Sequence, residues 1–154
     1  MKASLMFIAL IGSLLGSCAT QDGHESEDKP SANHSMTEIT SNCYAYTNGR
    51  DTITMELLQL GAKVSGKLKY DFYEKDRNEG TVEGELKGDT LLVDYTFMAE
   101  GMNSVRQVAF LKKGDEWVEG YGDVEGMNGR MNFKDPKTLK FNSIVILKKE
   151  NCSN

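Results

Sequence analysis

The chain has 154 residues, with 18 basic and 23 acidic side chains and a net charge of −5. From residue 43 onward both signs are interspersed, so there is no basic face for nucleic acid and no polybasic cluster for lipid head groups. Both histidines, His24 and His34, precede that region, which removes Ser-His-Asp, Cys-His and histidine–metal schemes from the rest of the chain.

The first segment reads as an export signal. Lys2 supplies the positive start, and Leu5 to Leu15 is an apolar run of 11 residues, too short for a transmembrane helix. Leu15-Gly16-Ser17-Cys18 resembles the lipobox of bacterial lipoproteins. The resemblance implies that residues 1–17 are removed and that Cys18 carries a diacylglyceryl group with acyl chains such as palmitate. Two or three such chains anchor stably where one binds only marginally. Ala19 is not the Asp that retains lipoproteins of this kind in the inner membrane, so the expected location is the outer membrane, on its periplasmic face or at the cell surface.

Residues 18–42 then form the lipidated Cys and a flexible acidic tether. They carry Asp22, Glu25, Glu27 and Asp28 with few large apolar side chains, and bury too little surface to offset ordering entropy. The acidic cluster resembles a surface-export signal of some outer-membrane bacteria, and also fits a solvated linker.

Residues 43–154 are expected to form one all-β domain. Candidate strands are 43–47, 51–60, 63–73, 80–87, 90–98, 104–112, 116–124, 129–133 and 139–149. Turn chemistry separates them: Asn48 to Asp51, Gly61, Asp76 to Glu79, Lys87-Gly88-Asp89, Glu100-Gly101, Lys113-Gly114-Asp115, Asn128-Gly129 and Asp135-Pro136. Ile53, Met55 and Leu57 share one strand face, as do Val64, Gly66, Leu68 and Tyr70, and Leu91, Val93, Tyr95 and Phe97. The alternates are polar, as in antiparallel sheets with one buried face. Val64-Ser65-Gly66 is echoed by Val82-Glu83-Gly84 and Val118-Glu119-Gly120. An inward Gly lets a strand bend sharply. The expected architecture is an antiparallel up-and-down meander closing into a small eight- or nine-stranded barrel, with a two-sheet sandwich as the alternative. Cys43 and Cys152 bracket the domain and read as one disulfide rather than two free thiols. No Cys-x-x-Cys suggests redox chemistry.

Three features carry candidate chemistry. Arg106 is in phase with Val108 and Phe110. If those point inward, Arg106 does too, and it either anchors a ligand carboxylate or pairs with Glu100 or Glu119. The opposite phase, Val105, Ala109 and Leu111, is apolar as well. Tyr44, Tyr46, Tyr70, Tyr73, Tyr95 and Tyr121 alternate with apolar residues and either line a cavity mouth or fill the core; Tyr70 and Tyr95 are the candidate ligand contacts. Met98/Met102 and Met127/Met131 form two Met-x-x-x-Met pairs, a soft-metal arrangement or plain packing. Glu83 and Glu85 share a face that reads as solvated.

The lipobox, the paired cysteines, and Lys87-Gly88-Asp89-Thr90-Leu91 with Tyr95-Thr96-Phe97 and Glu100-Gly101 together resemble small lipoproteins of outer-membrane bacteria with a lipocalin-like or meander β-barrel. The Ser-Gly-x-x-Tyr loop of lipoprotein lysozyme inhibitors has no clear match, and the Cys-x-x-Cys of copper-responsive stress lipoproteins is absent. The resulting expectation is a non-enzymatic binding module without cofactor or metal, anchored by its lipid. It would hold a small apolar or amphipathic ligand. The alternative is a filled-core lipoprotein that meets another envelope protein through its surface.

Overall fold

The computed structural model describes residues 38–75 and 77–152. The signal segment, Cys18 and nearly all of the tether lie outside these residues, as does Asp76. Ten strands follow in order: β1 (Thr40–Thr47), β2 (Thr52–Leu60), β3 (Lys63–Asp71), β4 (Asn78–Lys87), β5 (Thr90–Ala99), β6 (Met102–Lys113), β7 (Glu116–Gly120), β8 (Val124–Met127), β9 (Arg130–Phe133) and β10 (Ile146–Glu150). β1 begins three residues before the boundary read from the sequence.

Eight of these close a barrel. The ladder runs β5-β4-β3-β2-β1-β10-β7-β6, and β6 pairs back onto β5 from Thr90↔Leu111 to Ala99↔Met102. The ring is antiparallel throughout, and a barrel rather than a sandwich is formed. Closure solves the edge problem for the central sheet. The Cys43–Cys152 bond joins β1 to the residues just past β10, across a sequence separation of 109. Cys43 is itself the register partner of Glu150.

The inward faces follow the alternation. Ile53, Met55, Leu68, Tyr70, Val82, Leu91, Val93, Tyr95, Phe110 and Leu147 are all buried, most of them completely. Trp117 packs edge-on against Tyr44 at 6.1 Å near the end where the chain enters β1. Tight turns hold the meander together. Asn128 and Gly129 both take left-handed φ, 53° and 76°, the pair required by a two-residue type I′ hairpin.

The inward Gly66 marks a place where two strands are squeezed. A Cβ built there would lie 1.8 Å from the Glu56 carbonyl oxygen on β2. Gly84 meets the Leu92 carbonyl in the same way at 2.2 Å. These bends let a sheet of short strands curl into a small ring.

Two expectations need correction. The strand read at 116–124 is two strands, broken around Tyr121 to Asp123. The strand read at 139–149 is formed only from Ile146. Ahead of it, a 3-10 turn at Pro136–Thr138 is capped by Asp135, whose carboxylate accepts from the Lys137 N–H at 2.9 Å. The chain then crosses outside β7, with Tyr121 and Lys140 exchanging backbone hydrogen bonds and the Phe141 ring lying against Gly120. That cover explains the ambiguous phase of β6: Ala109 and Val118 face outward yet are buried. Beyond the expected meander barrel, two extra strands are added. The β8–β9 hairpin lies outside the ring, and β9 pairs parallel to β6 through Val105↔Arg130 and Arg106↔Met131.

Candidate binding site

The register separates two poles of the barrel. Thr40 pairs with Gln59 beside the Gly61 turn, so the chain enters at the pole of the β2–β3, β4–β5 and β6–β7 turns. Tyr70, Tyr95 and Arg106 lie toward the opposite pole. There the β1–β2 turn is tied to the β3–β4 loop by Asp51, which accepts from the Tyr73 N–H at 2.9 Å and from the Asn48 amide at 2.9 Å. The Tyr73 hydrogen bond, with help from Asn48, holds the Asp51 carboxyl below its ordinary range.

Val108 and Phe110 are buried and inward, so Arg106 points inward as well. It sits directly across from Tyr95 in the β5–β6 ladder. Its guanidinium carbon lies 5.1 Å from the Tyr70 ring centre and 5.4 Å from those of Tyr95 and Phe97. These rings pack on one another, Tyr95 stacked on Phe97 at 4.7 Å and Tyr70 edge-on to Tyr95 at 5.8 Å. A planar guanidinium is suited to such faces. The three residues singled out from the sequence, Arg106, Tyr70 and Tyr95, are therefore brought together.

The expected ion pair of Arg106 with Glu100 or Glu119 is not formed. The ion pairs among the described residues are Lys69–Asp71, Arg77–Asp71, Lys87–Glu85 and Arg130–Asp94. Glu100 sits in the exposed β5–β6 turn. Glu119 is buried, but its partners are phenols: the Tyr70 hydroxyl donates to one oxygen at 2.7 Å and the Tyr121 hydroxyl to the other at 3.0 Å. The Arg106 Nε–H is fully buried without an acceptor, and the Tyr95 hydroxyl is likewise unpartnered.

Arg106, Tyr70, Glu119 and Tyr121 border a cavity of about 290 Å³, whose apolar wall is made by Phe72, Val124 and Phe133. Phe133 is held there by its N–H, which donates to the Gln107 side chain at 3.2 Å. Glu119 was read from the sequence only as a partner for Arg106. Its phase with Trp117 in β7 was the signal that it points inward. The wall supplied by β8 and β9 had no such signal.

The two methionine pairs do not converge. Met98 is paired with Asn103 and Met102 with Ala99, so the turn between them sends the two side chains to opposite faces. Met127 and Met131 are split in the same way by their hairpin, and all four are largely exposed. Glu83 and Glu85 are exposed on the outer face of β4.

Burial pushes the Tyr95 phenol up to about 12, and raises Tyr70 well above its ordinary value with the Glu119 carboxylate adding to the effect. The folded chain thus holds these protons more tightly than the unfolded chain does. The stability they confer is complete below pH of about 10 and is lost as pH rises through the folded values. Spectrophotometric titration should show tyrosines that ionise only as the barrel unfolds.

The two phenols should also respond differently to removal. Tyr70→Phe strips a donor from a buried carboxylate and is expected to cost about 1.5–3 kcal/mol. Tyr95→Phe removes a buried hydroxyl that has no partner, and should be neutral or slightly stabilising. Urea midpoints of the two variants check this, and an equal loss in both would contradict it.

Comparison with known proteins adds no relative: no family model, no curated protein and no solved structure matches this chain.

Proposed function

We propose that this chain is a lipid-anchored envelope protein whose barrel binds a small amphipathic ligand at the pole opposite the start of β1, without catalysing a reaction. The observation that carries the reading is Arg106. Its Nε–H is buried and lacks an acceptor, and the residue borders a partly apolar cavity. A buried polar group is costly unless paired, and an anionic ligand head would supply the missing acceptor. Phe72, Val124 and Phe133 would receive the apolar part. The Leu15–Cys18 lipobox supports the anchor, and the Cys43–Cys152 bond suits an oxidising envelope compartment. Ala19 favours the outer membrane. The absence of histidine after residue 34 supports a binding role over hydrolysis.

Native mass spectrometry of the protein extracted from an envelope tests the reading. A mass lost on denaturation, and missing from Arg106→Ala, is the expected result. Bare protein in every preparation would overturn it. Incorporation of labelled palmitate that disappears in Cys18→Ser tests the anchor separately.

One feature favours the alternative, a filled core acting through its surface. Ile53, Leu68, Leu91, Phe110 and Leu147 occupy the barrel interior completely buried. A groove of about 580 Å³ is bordered by the exposed Ile39, Leu58 and Leu60 together with Lys63, Glu83 and Glu85. Bare protein together with a specific envelope partner would select this reading.

A further inference from the structure

The cavity at the mouth is bordered by two side chains of opposite charge that do not meet. Glu119 is 7% exposed and held only by the hydroxyls of Tyr70 and Tyr121. Phenols donate to a carboxylate but leave its charge uncancelled. Arg106 is flanked by Tyr70, Tyr95 and Phe97, again without a counter-charge. Among the described residues, neither takes part in any ion pair. Tyr70 spans the gap between them: its ring lies beside the guanidinium and its hydroxyl reaches Glu119. The two opposite charges therefore border one cavity without forming an ion pair, and Tyr70 touches both. A buried charge is costly unless it is paired. A single anion at Arg106 would answer one charge and meet repulsion from the other. A molecule carrying both signs answers both.

We propose that the cavity takes a zwitterion of the amino-acid or short-peptide type, with its carboxylate on Arg106, its ammonium on Glu119 and an apolar side chain against Phe72, Val124 and Phe133. This rests on the ligand-binding reading above and narrows it. Tyr70 and Tyr121 act as positioning residues that aim the Glu119 carboxylate.

The test uses the full chain and two probes, leucine and glycyl-leucine. Each is compared by calorimetry or NMR titration with its N-acetyl form, which lacks the ammonium, and its amide, which lacks the carboxylate. At least one zwitterion should bind about tenfold or more tightly than both blocked forms, the counterpart of one charge-assisted hydrogen bond at each end. Glu119→Gln should erase the discrimination against the N-acetyl form, and Arg106→Gln the discrimination against the amide. If either variant fails to fold, the ligand series on the unaltered protein decides alone. Equal binding of zwitterion and N-acetyl form would overturn the zwitterion proposal and leave the amphipathic-anion reading standing. So would binding of decanoate with none of the leucine series. Binding of none of these probes, decanoate included, would count against both.

Discussion

Gly66→Ala is expected to destabilise the barrel by at least about 3 kcal/mol, at the severe end for one added methyl group. The added carbon would stand 1.8 Å from the Glu56 carbonyl oxygen and 2.9 Å from its carbonyl carbon. Neither is the movable tip of a side chain. To make room, β3 must part from β2 where Leu57 faces Gly66, in the middle of a ladder running from Thr52↔Asp71 to Leu60↔Lys63. The loss should appear as a large drop in urea midpoint or as failure to accumulate soluble protein. Ser65→Ala is the internal control. Ser65 is the next residue along the strand, is exposed, and should change stability by no more than about 0.5 kcal/mol. Similar midpoints for the two variants would show that the strands can separate there without penalty.

Removing the disulfide is the second large effect. Cys43→Ala with Cys152→Ala frees a loop defined by a separation of 109 residues. In the chain-entropy picture a closure of that size stabilises by about 4–5 kcal/mol, and native bonds of small secreted domains are worth about 2–5. The β1–β10 ladder is short, Cys43↔Glu150 to Ala45↔Lys148, so the bond secures a seam with few hydrogen bonds of its own. The expected outcome is a barrel that still folds at low temperature but melts well below the parent. Treating the parent with a thiol reductant should reproduce the shift. An unchanged melting temperature in both experiments would mean that the ladder alone holds the seam.

Much of the fold was legible because most strands have a wet face. The alternation in Ile53-Met55-Leu57 and Leu91-Val93-Tyr95 determines which side is inside, and turns such as Asn128-Gly129 mark where the chain reverses. Legibility fails where a segment is covered on both sides. In β6, Ala109 looks as apolar as Val108 because its outer face lies under the cover that includes Phe141, and no local pattern announces that crossing. The parallel contact of β9 with β6 is similarly hidden: it joins residues 25 apart through two register pairs, Val105↔Arg130 and Arg106↔Met131. At the site, the inward direction of Arg106 could be read from Val108 and Phe110. The bond from Tyr70 to Glu119 could not, because it joins residues 49 apart whose approach depends on how the whole ring closes.

The placement of the chain's entry has a mechanical consequence. The chain enters β1 at Thr40, at one pole, while the candidate site occupies the other. β1 lies between β2 and β10, and Cys43 is bonded to Cys152 three residues inside the strand. A pull between the start of β1 and anything held at the mouth runs along the strand axes. It loads the ladders on both sides of β1 in shear, where hydrogen bonds must give way together rather than one by one. Only Thr40 to Asn42 precede the covalent bond and could be drawn out singly. A barrel loaded this way resists tension applied along its strands from the start of β1.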